Sequence, residues 1–334
     1  MTSTVPGADQ VGPPPPFDPE LAAALAELRQ RMPASFTADM IPVLRAGSRE
    51  QRLELADLRM DGRFEVEERA VPGPAGAPDV TLLICRPVAA AAPGGVLYFI
   101  HGGGMIMGDH RGRNTGEAAT WAAELGLGMV SVDYRLAPEN PYPAPVEDCY
   151  AGLLWTVGHA AELGFDPGRV VIAGVSAGGG LAAATALLAR DRGGPALAGQ
   201  MLLCPMLDDR NDSVSARQMA GLGIWDQGSN ALGWTALLGD ARGGPGVSPY
   251  AAPARAGDLS GLPPAYLDVG SAETFRDETI DYATRIWRAG GQAELHVWPG
   301  GFHGFDGFAP QTSLSQTAKT PRVPWLRRLL ATAG

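Results

Sequence analysis

Five residues, Gly174-Val175-Ser176-Ala177-Gly178, restrict the fold of this chain more than any other feature. They join the apolar run Val170-Val171-Ile172-Ala173 to the helix-forming run Leu181-Ala182-Ala183-Ala184. A turn this tight between a strand and a helix leaves no room for side chains at its flanks, so glycine stands at both. The serine between them is expected to be held in a strained conformation with its hydroxyl exposed at the carboxyl end of a sheet, where open α/β folds place their sites. The helix behind it contributes N–H groups and a positive dipole end. A passive glycine-rich turn is the alternative, and the strand before and helix after favour a nucleophile.

Around this turn the chain alternates short apolar runs with helical stretches, the pattern of a mostly parallel sheet with helices on both faces. Strands are expected near Phe64 to Val71, Asp79 to Cys85, Val96 to Ile100, Met129 to Asp133, Val170 to Gly174, Gln200 to Cys204, Ala265 to Val269 and Glu294 to Trp298. The first two are close enough in sequence to be antiparallel. Helices are expected near Gly116 to Leu125, Val146 to Leu163, Ala177 to Arg190, Asp277 to Ala289 and at the C terminus. Ahead of the sheet, Asp18 to about Leu58 shows helical spacing, as in Leu21, Leu25 and Leu28. Pro13 to Pro16 cannot join a helix or a sheet and read as a mobile lead-in. Between Asp208 and Gly261 the strand rhythm stops, which marks an insertion that, with the N-terminal helices, can form a cap.

Composition excludes several function classes. The net charge of -10 and the lack of Lys or Arg clusters argue against nucleic-acid and anionic-membrane binding and favour a neutral or apolar substrate. The three cysteines, Cys85, Cys149 and Cys204, are too few and too scattered for a disulfide framework or a zinc site, so buried free thiols are expected. The N terminus has neither a basic start nor an apolar run, and no later stretch is long and apolar enough to span a bilayer. A cytoplasmic protein without membrane insertion is the expectation.

A serine hydroxyl needs a base, and behind a strand–turn–helix nucleophile the acid and then the histidine should follow along the chain. His101, His110 and His159 precede Ser176 and drop out. His296 lies inside a strand with apolar neighbours, whereas His303 stands in the loop Pro299-Gly300-Gly301-Phe302-His303-Gly304-Phe305 just past the last strand and can reach the serine. The carboxylate that orients it is sought among Asp268, Glu273, Asp277 and Glu278. Asp268 falls inside a strand, and Asp277 and Glu278 sit where a helix starts and acids serve as caps. Glu273, just past the strand end, is the choice. The run His101-Gly102-Gly103-Gly104 follows the strand Val96 to Ile100 and suits an oxyanion hole, with the N–H groups of Gly103, Gly104 and Ala177 as donors. His101 itself reads as a loop anchor.

These motifs resemble those of the bacterial hormone-sensitive-lipase-like esterases, a carboxylesterase branch of the α/β-hydrolase superfamily. The likeness is carried by His101-Gly102-Gly103-Gly104, by Gly174-Val175-Ser176-Ala177-Gly178-Gly179, and by Tyr134-Arg135-Leu136-Ala137-Pro138-Glu139 with Tyr142-Pro143-Ala144-Pro145. It continues through Leu262-Pro263-Pro264-Ala265, Glu273-Thr274-Phe275-Arg276-Asp277-Glu278 and His303-Gly304-Phe305, roughly the last three quarters of the chain. The resemblance implies an α/β-hydrolase fold with an eight-stranded, mostly parallel sheet, a helical cap, no cofactor or metal and, often, a homodimer. Residues 1–58 would then be lead-in and cap helices, and 59–334 the catalytic domain with a cap insertion at about 208–261.

Two positions depart from the family's pattern. Val175 stands where Asp is more usual, which removes a polar contact beside the turn, and Glu273 replaces Asp, which keeps the carboxylate. Tyr134, Arg135, Glu139 and Asp148 read as structural residues behind the site, with a buried ion-pair role. Trp225, Trp234, Leu222 and Met219 are candidates for an acyl pocket, although cap residues of this kind more often pack. The function implied is hydrolysis of a small-molecule ester of short to medium acyl chain. Lactone or amide hydrolysis by the same residues, and a receptor that keeps the pocket but loses the chemistry, are the rival readings.

Overall fold

In the computed structural model, which describes residues 11–88 and 94–332, eight strands form one sheet in the order β1-β2-β4-β3-β5-β6-β7-β8. They are β1 (Phe64–Val71), β2 (Val80–Pro87), β3 (Gly94–Ile100), β4 (Gly128–Asp133), β5 (Phe165–Val175), β6 (Gly199–Leu203), β7 (Ala265–Gly270) and β8 (Ala293–Trp298). β2 runs antiparallel to both β1 and β4, and the remaining neighbours are parallel.

The helices are α1 (Pro19–Leu28), α2 (Ile41–Glu50), α3 (Leu55–Leu58), α4 (Arg113–Leu125), α5 (Ala144–Gly158), α6 (Ala160–Leu163), α7 (Ala177–Asp191), α8 (Val214–Gln218), α9 (Gln227–Leu238), α10 (Arg276–Arg288), α11 (Phe305–Phe308), α12 (Ser313–Lys319) and α13 (Arg322–Thr332). None is long and apolar enough to cross a membrane.

The apolar runs become strands because helices cover both faces of the sheet, so every residue of β6 and β7 is buried and alternation disappears. In β3, Val96, Tyr98 and Ile100 pack on one face with α5 and α7, while Leu97 and Phe99 pack on the other with α4 and α13. At the margin of the sheet β1 is partly exposed and carries charged residues, as an edge strand should. α7 is buried almost all round, which explains its Ala- and Gly-rich sequence.

Several boundaries differ from the sequence-based expectation. β5 starts at Phe165, because its first residues continue as an irregular extension that pairs Phe165 with Gly94. The single helix expected over 146–163 is two, broken at His159, whose backbone leaves the helical region. Cys204 lies just past β6 with φ 36° and takes no part in the strand. The Pro13–Pro16 lead-in is tethered: Gln218 Nε2 donates to the carbonyls of Gly12 and Pro13, and Asp18 N donates to Gly300 O. The lead-in residues 1–10 lie outside the described part.

The N-terminal segment and residues 208–261 are stitched to each other. Arg29 donates to the carbonyls of Gly221 and Gly223, Ser35 Oγ donates to Asp226, and Phe36 N donates to Ser229 Oγ. Asp277 and Glu278 differ from the helix-cap role expected of them. Asp277 accepts from Ser215 N in the first turn of α8, and buried Glu278 accepts from Leu207 N and Asp208 N. Both therefore anchor the insertion instead of capping their own helix.

Candidate active site

Ser176 follows the last residue of β5 and opens α7, with φ 58° and ψ -121°. This strained conformation costs about 1–3 kcal/mol and persists only where the surroundings over-determine it. Here Ser176 N donates to Leu203 O at 2.8 Å, and its carbonyl accepts from Met206 N and Gly180 N, both at 3.0 Å. A Cβ on Gly174 would stand 2.2 Å from the Gly178 carbonyl oxygen, and one on Gly178 would stand 2.1 Å from that of Ile100. The two flanking glycines are thus required by contact.

The loops after β7 and β8 bring Glu273 and His303 to this turn. Ser271 N donates to Trp298 O and Ala272 N to Gly301 O, which zips the two loops together. His303 Nε2 lies 2.9 Å from Ser176 Oγ, and its Nδ1 lies 3.0 Å from Glu273 Oε1. With the proton on Nδ1, the neutral ring donates to the carboxylate and accepts from the hydroxyl. The other oxygen of Glu273 accepts from Gly270 N at 3.0 Å. Glu273 is buried, and Phe275 presents its ring edge-on to His303 with centroids 4.9 Å apart. Ser176, His303 and Glu273, from three loops, therefore form one hydrogen-bonded chain.

The glycine run after β3 lies across from this chain. Gly103 (φ 116°) and Gly104 (φ 60°) adopt left-handed conformations, and a Cβ on Gly104 would stand 2.2 Å from the Trp225 ring. Among the described residues the N–H groups of Gly103, Gly104 and Ala177 have no protein acceptor. His101 is buried as a loop anchor, with Nδ1 2.8 Å from Gly102 O and its ring stacked on Tyr134 at 4.2 Å. Burial lowers its pKa, which keeps it uncharged.

The segment from Tyr134 to Glu139 braces this loop. Tyr134 Oη donates to His101 O, Ala137 N donates to Met105 O, and Arg45 donates to the carbonyls of Ile106 and Ala137. Arg135 pairs with fully buried Asp148 at 2.7 Å, as expected. Glu139 differs: it pairs with Arg45 from α2, but its side chain is 59% exposed, so the pair sits at the surface. Arg45 was not singled out from the sequence, where nothing distinguishes it from other helical arginines.

A second residue missed by sequence reasoning is Arg322, at the start of α13. Its buried guanidinium contacts Asp268 at 2.9 Å, Asp306 at 2.6 Å and Glu117 at 3.4 Å. Burial raises the Asp268 pKa to about 6, against the pull of Arg322. Burial also opposes ionisation of Asp306, yet Arg322 overrides it and holds that carboxyl below its ordinary value. Asp268, weighed as an acid candidate, is thus occupied by Arg322 and does not meet His303. A lone arginine after the Pro321 turn carries no signal that would have revealed this.

The site opens into a cavity of about 640 Å³, lined by Ser176, Glu273, His303, the glycine run and Val175, and walled by Leu28, Met32 and Phe36 from the N-terminal segment and by Ile224 and Trp225 from the insertion. Of the four pocket candidates only Trp225 lines it. Trp234 and Met219 are buried in packing, and Leu222 faces outward.

The remaining histidines are structural. His159 stacks on Trp155, and His296 stacks on Trp298 with Nε2 2.9 Å from Glu294. His110 lies 2.6 Å from Glu68 and 3.1 Å from Asp133. Burial disfavours its charge, but Asp133, Asp109 and Glu68 outweigh that and raise its pKa.

Two groups of described residues bring three possible metal donors within 4.8 Å of one another. Asp109, His110 and Asp133 form one, in which Arg52 pairs with Asp109. Cys204, Glu273 and His303 form the other. All three cysteines are buried and free, as expected, but the fold sets Cys204 beside Glu273 and His303.

The family model described as alpha/beta hydrolase fold matches residues 97–307. Carboxylesterase NlhH of Mycobacterium tuberculosis is 37% identical over 320 residues, 93% of this chain and 97% of the relative. Esterase LipI of the same species is 38% identical over 251 residues, 74% of this chain and 76% of the relative. Among solved structures, a bacterial heroin esterase aligns with TM-score 0.86 at 40% identity, covering 94% of this chain and 98% of the other. Esterase LipW from Mycobacterium marinum aligns with TM-score 0.83 at 35% identity, covering 95% and 98%.

Proposed function

This chain belongs to the hormone-sensitive-lipase-like branch of the α/β-hydrolase family, whose members similar to it are carboxylic ester hydrolases, and on that premise we propose that it hydrolyses short- to medium-chain carboxylic esters through an acyl-enzyme on Ser176. The observation that carries the reading is the continuous hydrogen-bonded chain from Ser176 through His303 to Glu273.

In this mechanism Ser176 Oγ attacks the ester carbonyl as His303 Nε2 takes its proton, and buried Glu273 stabilises the imidazolium that results. The N–H groups of Gly103, Gly104 and Ala177 receive the oxyanion, at a helix N terminus whose dipole favours negative charge. His303 then protonates the departing alcohol. Water, deprotonated by the same histidine, releases the acid.

The paired N-terminal segment and residues 208–261 act as the cap, with Phe36, Ile224 and Trp225 forming its apolar lining. A cavity of about 640 Å³ suits one small-molecule ester. The net charge of -10 supports a neutral substrate over an anionic surface.

The test is hydrolysis of p-nitrophenyl esters of graded acyl length by the wild type and by Ser176→Ala, with folding followed by circular dichroism. The expected result is activity greatest on short to medium chains and reduced by about 10⁴-fold or more in a folded mutant. A folded mutant that retains activity overturns the assignment of Ser176.

A further inference from the structure

The residue after β6 is a cysteine, and the fold turns it toward the acid and the base. Cys204, Glu273 and His303 each offer a donor atom, all within 4.8 Å of one another, and all three line the floor of the cavity. The combination of thiol sulfur, imidazole nitrogen and carboxylate oxygen is the donor set that binds zinc and other thiophilic divalent cations. Donors placed 2.0–2.3 Å from a tetrahedral centre are roughly 3.3–3.8 Å apart, so side-chain rotations of about 1 Å would close the group around an ion.

We propose that Cys204, Glu273 and His303 form an inhibitory site for a thiophilic divalent cation of the zinc or cadmium class, reached through the substrate cavity. The functional consequence rests on the esterase reading. A bound ion takes a nitrogen of His303 and an oxygen of Glu273, so the base loses its orienting carboxylate and the serine loses its activation.

The local charge favours such an ion. Glu273 and Asp268 both act on the Cys204 thiol, and with Asp306 they outnumber the single guanidinium of Arg322. Cys204 is a buried free thiol beside Glu273 and His303. When a divalent cation enters, the sulfur–metal bond forms as the thiol gives its proton to water. No oxidation is involved, and a chelator that removes the ion restores the thiol. The geometry of ester hydrolysis and the geometry of metal capture are therefore alternatives at one site.

The experiment uses the full chain in a non-coordinating buffer, titrated with Cd²⁺ and followed both by the ultraviolet thiolate-to-cadmium charge-transfer band and by ester hydrolysis. The expected result is one band per chain that grows in step with the loss of activity, both reversed by EDTA. Cys204→Ser and Cys204→Ala should lose the band and, relative to their own metal-free activity, need at least about tenfold more Cd²⁺ for half inhibition. Cys85→Ala and Cys149→Ala should behave as the wild type.

Ser176→Ala should keep the band, so metal capture is read even if the chain hydrolyses none of the esters tried. A wild type without the band overturns the proposal. So does inhibition of both Cys204 variants at the Cd²⁺ concentration that inhibits the wild type, or loss of the band in either of the other cysteine variants with Cys204 intact.

Discussion

The guanidinium of Arg322 lies 2.6 Å from the carboxylate of Asp306, just beyond His303, and so ties the loop of the base to the C-terminal helix. The same guanidinium reaches Asp268 in β7, the strand that leads to Glu273. One buried cation thus bridges the strand before Glu273 and the loop that carries His303. Arg322→Met leaves buried Asp268 and half-buried Asp306 without their guanidinium, for which a cost of about 3–5 kcal/mol is expected. Under conditions where the variant remains folded, kcat should fall about 10- to 100-fold with KM little changed, because misplacing catalytic groups affects the transition state first. Arg322→Lys keeps the charge without the fork and should recover only part of both losses. Denaturation curves with steady-state kinetics provide the check.

Glu273 makes two hydrogen bonds, one to His303 Nδ1 and one from Gly270 N. Glu273→Gln keeps the shape but offers one acceptor oxygen, so its NH2 must face either His303 Nδ1 or the Gly270 N–H, and it cannot stabilise the imidazolium. Its kcat is expected to drop about 10³- to 10⁴-fold, with about 1–3 kcal/mol of stability lost to the contact left unmade. Glu273→Asp restores the charge one methylene short, and a milder loss of about 10- to 100-fold is expected. Equal losses in the two variants would show that geometry outweighs charge at this position.

The legible parts of the molecule are those encoded locally. Strands buried on both faces appear as apolar runs, and Ser176, Glu273 and His303 each stand just past the end of such a run, where loops at the carboxyl edge of the sheet must meet. What local pattern cannot show is which distant side chain fills a given neighbourhood. Arg322 and Arg45 look like ordinary helical arginines until the fold places the first among Asp268, Asp306 and Glu117 and the second against the carbonyls of Ile106 and Ala137 behind the glycine run. Asp277 illustrates the same limit, because its place at a helix start suggests a cap for α10 while it serves the neighbouring α8. Glu139 was expected in a buried pair, but its partner comes from an N-terminal helix that leaves it in solvent.

His110 supplies a pH-dependent contribution to stability. Its folded pKa is raised, so relative to an unfolded imidazole of about 6.5 the folded state holds the proton more tightly. The stabilisation from its contacts with Asp133, Asp109 and Glu68 is fully present below about pH 6.5 and is lost as pH rises through the folded value. The wild type should therefore lose more stability than His110→Gln when pH is raised from about 6 to about 9. Urea denaturation at both pH values reads the difference, and parallel losses in the two proteins would remove His110 as the source.

Trp225 and Trp234 lie in the same insertion and are both buried, yet they should respond oppositely to truncation. Trp225 borders the cavity, and its ring faces Gly104, while its Nε1 donates to Asn230 at 3.3 Å. Removing it widens the substrate space at the oxyanion loop, so Trp225→Ala should move the acyl-chain optimum to longer esters and lower kcat/KM for acetate esters about tenfold, the scale of a few lost methylene contacts. Trp234 is fully buried between α9 and the core and does not line the cavity. Trp234→Ala should cost about 3–5 kcal/mol of stability and leave the chain-length optimum where it was. Profiles across an acyl series, measured beside melting temperatures, separate the two outcomes. A shifted optimum in Trp234→Ala would mean that the insertion positions the cavity as a whole and that no single wall residue sets its length.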